Sequence, residues 1–196
     1  ILGLSYQESN VFGSGNSFNV SVNRSSYQTA YNLSFFDPYF TVDGVSRGYS
    51  IFYRSTSYDE RNIARFSTDS LGATVNFGYP INEISRINFS VGAENTNIKE
   101  GIFPSQEISR FLSKEGNDFS LVTVSAAYTM SALNRGLLPT AGRAQTLSFE
   151  ATVPGSQLEF YRINYSGQIF FPLTKLFTLR LRTDLGYGGT FGSTET

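Results

Sequence analysis

Apolar and polar residues alternate with a period of two along most of the chain, the pattern of strands whose two faces meet different surroundings. Phe18, Val20 and Val22 alternate with Asn19, Ser21 and Asn23, and Tyr31, Leu33 and Phe35 alternate with Asn32 and Ser34. Tyr49, Ile51 and Tyr53 stand opposite Ser50, Phe52 and Arg54. Leu71, Ala73, Val75, Phe77 and Tyr79 stand opposite Gly72, Thr74, Asn76 and Gly78. Ile87, Phe89, Val91 and Ala93 oppose Asn88, Ser90, Gly92 and Glu94. The stretch 119–130 is less clean, with Val122, Val124, Ala126 and Tyr128 as its apolar face. Leu147, Phe149, Ala151 and Val153 oppose Ser148, Glu150 and Thr152, and Tyr161, Ile163, Tyr165 and Ile169 oppose Arg162, Asn164 and Gln168. Phe177, Leu179, Leu181, Leu185 and Tyr187 oppose Arg180, Arg182, Asp184 and Gly186. With residues 1–7, the pattern predicts ten strands of roughly 8 to 13 residues.

A soluble sandwich alternates too, but two features point to an all-β, antiparallel, up-and-down transmembrane β-barrel. Ten residues at about 3.3 Å each, tilted by about 40°, give roughly 25 Å of height, the apolar band of an outer-membrane barrel. The polar face carries Arg, Glu, Asp and many Asn, as a wet lumen requires, while Lys is scarce. Apolar residues never run more than three together, as in Ile51-Phe52-Tyr53, so no transmembrane helix is encoded. The slightly negative mean hydropathy is what a chain with apolar residues on one face only produces.

The connections fall into two sets. Val11–Asn16, Asp37–Ser46, Pro80–Ser85, Ala132–Arg143 and Pro172–Lys175 form one, expected on the periplasmic side. Tyr58–Asp69 and Asn95–Asp118 belong to the longer, extracellular set. Aromatics gather where strands meet turns, at Phe35, Tyr39, Phe40, Tyr79, Phe170 and Phe171, as in an interfacial girdle. The long 95–118 segment holds the one helical signal. Ser105 is placed to cap, Ile108, Phe111 and Leu112 recur at helical spacing, and Gly116 is a stop.

Composition removes several functions. Fifteen basic against sixteen acidic residues leave no excess to neutralise phosphates, which speaks against nucleic-acid binding. Without Cys or His there is no disulfide, no thiolate or imidazole metal site and no Ser-His or Cys-His nucleophile. Glu94, Glu150 and Asp184 fall on separate strands, so a glycosidase-like carboxylate pair has no support. They are expected to be lumenal charges balanced by Arg162, Arg180 and Arg182. An enzyme is not expected, and neither is a cofactor. Five Asn-x-Ser sequons, at Asn19, Asn23, Asn32, Asn88 and Asn164, repeat the polar face of a strand and read as coincidence.

Four turn segments carry a family resemblance. Phe36-Asp37-Pro38-Tyr39-Phe40-Thr41-Val42-Asp43-Gly44-Val45-Ser46-Arg47-Gly48 resembles the Asn/Asp-Pro-Tyr-Phe-Thr-x-Asp-Gly turn of the BamA family. There Pro38 fixes φ, Tyr39 and Phe40 anchor at the interface, and Asp43-Gly44 supplies the reversal. Leu133-Asn134-Arg135-Gly136-Leu137-Leu138-Pro139-Thr140-Ala141-Gly142 is similar to the Gly-x-x-Pro-Thr-x-Gly turn of that superfamily. Tyr79-Pro80-Ile81-Asn82-Glu83 and Val153-Pro154-Gly155-Ser156 are the third and fourth matches, in the same order and spacing.

The resemblance implies a sixteen-stranded barrel of which these ten strands are the second to the eleventh. Residues 1–196 are then a piece of one outer-membrane β-barrel domain, without POTRA domains, first strand, sixth extracellular loop or last strands. It also implies folding and insertion of other β-barrel proteins into the bacterial outer membrane. The implied partners are membrane lipids, nascent barrel clients and accessory Bam lipoproteins. Competing readings are a passive porin or transporter barrel and a related two-partner-secretion or autotransporter-assembly barrel. Candidate functional residues are the turn residues Asp37, Pro38, Tyr39, Phe40, Asp43, Gly44, Arg135, Gly136, Pro139, Thr140 and Gly142. To these are added the lumen-facing charges Glu150, Arg162, Arg180, Arg182 and Asp184, and the interfacial aromatics Phe35, Tyr79, Phe170 and Phe171.

Overall fold

A computed structural model describes residues 2–58, 66–101, 106–174 and 176–192. Ten strands follow one another: β1 (Leu2–Glu8), β2 (Ser17–Arg24), β3 (Gln28–Asp37), β4 (Ser46–Ser57), β5 (Phe66–Asn82), β6 (Ser85–Glu100), β7 (Asp118–Leu133), β8 (Gly142–Thr152), β9 (Phe160–Pro172) and β10 (Thr178–Thr190). Helix α1 (Gln106–Glu115) lies between β6 and β7, and a single 3-10 turn covers Val11–Gly13. Each strand pairs antiparallel with its chain neighbours in one sheet, in the order β1 to β10. The all-β, up-and-down topology is the one the alternation predicts.

Residues directly opposed across an antiparallel ladder share a face, so the register sorts every side chain. One row runs Tyr49, Val75, Val91, Val124, Ala151 from β4 to β8. The row adjoining it on the other face runs Gly48, Asn76, Ser90, Ser125, Glu150, then Arg162 of β9 and Gly188 of β10. Apolar and polar alternation thus assembles into one apolar and one polar sheet face.

The apolar face has no second layer over it. Leu4 is 68%, Ile51 54%, Leu71 56%, Val91 54% and Leu185 63% exposed, whereas in a sandwich such residues are covered by the opposing sheet. Among the described residues the only buried hydrophobic side chains are Leu112, Phe119 and Met130. Phe119 belongs to the polar face, where Phe66, Ile98, Leu121 and Phe160 also lie at one end of the sheet. The buried side chains are therefore few and lie at the two ends: Phe119 in this cluster, with Thr56 and Thr152 buried in the same end of the sheet, and Met130 at the other end, opposite the buried Ser85.

Several strands exceed the expected 8 to 13 residues: β5 has 17, β6 and β7 have 16 each. The ladder continues past the apolar band through polar pairs that alternation cannot reveal. Asn95 Nδ2 donates to Ser120 Oγ at 2.9 Å, Asn97 Nδ2 to Asp118 Oδ1 at 2.6 Å, and Lys99 Nζ meets Asp69 Oδ2. Residues expected in loops, Phe66–Asp69 and Asn95–Glu100, are strand for this reason. Helix α1 occupies the expected segment, and Gly116, at φ +85°, returns its N–H to the Leu112 carbonyl at 2.9 Å. The expected cap, Ser105, lies outside the described residues.

Candidate functional site

The candidate site is the sheet itself, with two unlike faces and two unlike ends. Along β5 the apolar face runs from Leu71 to Tyr79, about 27 Å of strand at ~3.4 Å per residue, or about 20 Å of height at a tilt of ~40°. On β9 the stretch Tyr161 to Phe171 gives about 26 Å by the same measure. A β-ladder suits a lipid surround because every interior N–H and C=O is paired with a neighbouring strand.

The connections alternate between the two ends. The β1–β2, β3–β4, β5–β6, β7–β8 and β9–β10 connections leave from one end of the sheet, and the β2–β3, β4–β5, β6–β7 and β8–β9 connections leave from the other. The first group contains every connection read as one set from the sequence. It carries both turn motifs that supply candidate residues.

In the 38–45 turn, Asp37 Oδ1 accepts the Tyr39 N–H at 3.1 Å, an Asx turn that starts the reversal ahead of Pro38. Thr41 holds the loop closed: its carbonyl accepts the Gly44 N–H at 3.1 Å and its Oγ1 accepts the Val45 N–H at 3.3 Å. Gly44 follows Asp43 at φ +81° and packs 3.5 Å from the Pro80 ring at the place of a side chain. Arg47 joins the ends of β3 and β4. Its guanidinium is 3.6 Å from Asp37 and stacks 3.8 Å above the Phe40 ring, which leans on Phe77 at 6.5 Å. Tyr39 projects freely.

In the 134–141 turn the organiser is Asn134, which sequence reading quoted but did not single out. Its Oδ1 accepts the Thr140 and Ala141 N–H groups at 3.1 and 3.2 Å, and its Nδ2 donates to Thr140 Oγ1 at 2.9 Å. Arg135 adds a bond to the same hydroxyl at 3.1 Å. The two motif glycines differ. Gly142 has φ +109° and its Cα faces the Ala132 carbonyl and, at 2.9 Å from an added Cβ, the Leu133 Cα; Gly136 has open space around it. Pro139 follows Leu138, which itself takes φ +49°.

The five lumenal charge candidates all lie on the polar face. Glu150 and Arg162 are cross-strand neighbours joined by two bonds of 3.0 and 3.1 Å. Arg182 grips Asp184 two residues along β10, at 2.7 and 3.3 Å. Arg180 has a different partner, the Phe170 ring at 5.7 Å. These pairs are solvent-accessible, so each contributes little to stability.

That contact corrects the aromatic reading. Phe170 pairs across the ladder with Arg180 and Gly142 and therefore sits on the polar face, while Phe171, one residue on, pairs with Leu179 on the apolar face. Two adjacent strand residues cannot both face one side. Phe35 and Tyr79 are on the apolar face, Phe35 beside Tyr49 at 6.5 Å and Tyr79 opposite Ile87. All four stand at the end that carries the 38–45 and 134–141 turns. Among the described residues no group of acidic residues is arranged to hold a metal ion.

The Omp85 superfamily domain matches residues 10–196. The chain belongs to the Omp85 superfamily. The Omp85 wall described above is 30% identical over 207 aligned residues to the outer membrane protein assembly factor BamA of Neisseria meningitidis, covering all of this chain and 26% of that protein. A second assembly factor BamA, from Buchnera aphidicola, is 30% identical over 95 residues, 48% of this chain and 15% of its own length. The crystal structure of BamA from Haemophilus ducreyi lacking POTRA domains 1–3 superposes with a TM-score of 0.84 at 24% identity. That match covers 98% of this chain and 39% of the other, so the ten strands have the fold of a barrel wall. The chain spans about a quarter of the length of the Neisseria relative. Omp85 membership of this kind places the wall in the bacterial outer membrane.

Proposed function

We propose that this wall belongs to an assembly factor that folds and inserts β-barrel proteins into the outer membrane. The observation that carries the reading is the 30% identity to the Neisseria assembly factor across the entire chain. Its apolar face meets hydrocarbon, and its polar face, with the Glu150–Arg162 and Arg182–Asp184 pairs, lines a wet lumen. The clients are nascent outer-membrane barrels, and the other partners are lipids and accessory Bam lipoproteins.

The work is physical and involves no covalent chemistry. Glu150 and Asp184 are each engaged by an arginine, which leaves them as structural charges and not as acid and base. A client strand gains free energy by exchanging water for ladder hydrogen bonds at a strand edge, and avoids carrying bare amides into lipid. A stiff wall supports this by holding the barrel open while the client adds.

The test uses the full-length protein containing this chain, reconstituted in phosphatidylcholine vesicles and given a urea-unfolded outer-membrane barrel. Folding of the client faster than in protein-free vesicles is the expected result. An unaccelerated client together with steady ion conductance across a planar bilayer would replace this reading with a passive pore.

A further inference from the structure

The apolar face is not uniform. Its last fully apolar row toward the long-loop end runs Ile51, Ala73, Ala93, Val122 across β4 to β7. Ala73 and Ala93, directly opposed, are the smallest side chains in it and form the floor of a depression of about 660 Å³. Ile51 and Leu71 stand on one side of it, and Val122, Val153 and Pro154 on the other.

The far wall is a built feature. Where β8 ends, residues 153–157 continue along β7 by other means: Val153 N–H to the Val122 carbonyl at 2.7 Å, Val122 N–H to Ser156 Oγ at 3.2 Å, and Ser120 N–H to Gln157 Oε1. Gly155, at φ +93°, gives its N–H to Glu159 Oε1 at 2.8 Å, which fixes the bend that lifts Pro154 beside the floor. This is the fourth turn motif of the sequence, and the structure gives it this one evident use.

Above the floor the next row, Tyr53, Leu71, Asn95, Ser120, turns polar on β6 and β7, where Asn95 Nδ2 is bonded to Ser120 Oγ. An amide carries two such N–H donors, so a second remains on Asn95 to meet an acceptor from outside. The depression therefore lies at a boundary, apolar below and hydrogen-bonding above, which is the profile of a lipid where its acyl chain joins its ester linkage.

We propose that this depression seats one acyl chain of a membrane lipid, with the carbonyl of its ester linkage against Asn95 and Ser120. The inference rests on the reading that the apolar face meets hydrocarbon. A seated chain fills a hole that the curved wall otherwise presents to mobile lipid, and it marks the height of the membrane boundary on β5 to β7.

The experiment uses the full-length protein in vesicles of phosphatidylcholine and phosphatidylglycerol carrying a trace of phospholipid with a diazirine in its acyl chain. After irradiation, adducts are mapped by mass spectrometry in the parent and in the Ala73→Leu/Ala93→Leu variant, which fills the floor. Expected is an enrichment of adducts at residues 71–73, 93–95, 120–122 and 153–154 of roughly tenfold over Val75, Phe89 and Leu179, equivalent to about 1.4 kcal/mol of preferential occupancy. The variant should bring these positions down to the level of the others. Adducts spread evenly over the apolar face of the parent would overturn the seat while leaving the wall in lipid. Adducts absent from that face altogether would overturn both.

Discussion

The turn motif of residues 133–142 contains two glycines, Gly136 and Gly142, that the motif treats alike and the structure does not. Gly142→Ala forces a side chain onto φ +109° and drives its Cβ into the Ala132 carbonyl, with the Leu133 Cα only 2.9 Å away. Left-handed backbone costs an L-residue about 1–2 kcal/mol, and overpacking against groups that cannot swing aside adds about 1–3 kcal/mol. Both obstructing atoms are backbone, and Gly142 is the first rung of β8 against both Leu133 and Phe170, so relief means breaking pairing on two sides. The expected loss is about 2–5 kcal/mol, the sum of those two contributions. Gly136→Ala meets nothing within 4 Å and needs no special φ, so it should stay within about 0.5 kcal/mol of the parent. Both variants are measured in the full-length protein by equilibrium urea unfolding in vesicles, with the folded fraction read from gel mobility without heating. Equal losses for the two glycines, or a neutral Gly142→Ala, would refute the account of this turn.

Three further expectations use the same assay. Val91→Arg, in the middle row of the apolar face, should cost about 2–4 kcal/mol, as for a charge at the bilayer midplane. Ser90→Arg, its neighbour on the polar face, should cost no more than about 1 kcal/mol, for the 2.7 Å bond to Ser125; a reversed order would contradict the facing of the sheet. Asn134→Ala should lose about 1–2 kcal/mol with its two backbone acceptor bonds, and Asn134→Asp, which keeps the acceptor, should recover most of it. An Asn134→Asp as damaging as the alanine would show that the acceptor is not what closes the turn.

The facing of the sheet was legible because hydrocarbon tolerates few exceptions: on β5 every second residue from Leu71 to Tyr79 is apolar, and the register needed only short turns to follow. Strand ends were less legible. Beyond Leu71 the apolar face of β5 and β6 turns polar, so Asp69 and Asn97 pair in the ladder without any contrast to betray it. Phe170 and Phe171 share a place where strand meets turn, which groups them as a girdle, while the phase set by Tyr161 and Ile163 puts Phe170 with Arg162 and Gln168. The polar side chains that organise turns were hidden for another reason. Asn134 and Arg47 act on partners six to ten residues away, at distances fixed by loop geometry and not by a period. The alternation puts Phe52 on the polar face but does not encode its packing: it lies over Gly72, where a Cβ would stand 2.6 Å from its ring.

The claim on which the rest depends is that neighbouring residues of one strand face lipid and water by turns. This chain has no cysteine of its own, so single cysteines placed at 71 to 79 can be probed one at a time in the full-length protein, with any cysteine elsewhere replaced by serine, in intact outer membranes. Labelling by a membrane-partitioning maleimide at 71, 73, 75, 77 and 79, with a charged, water-borne reagent taking 74 and 76, is the predicted result. Reactivity toward both reagents without a period of two, or with the two sets exchanged, would contradict it.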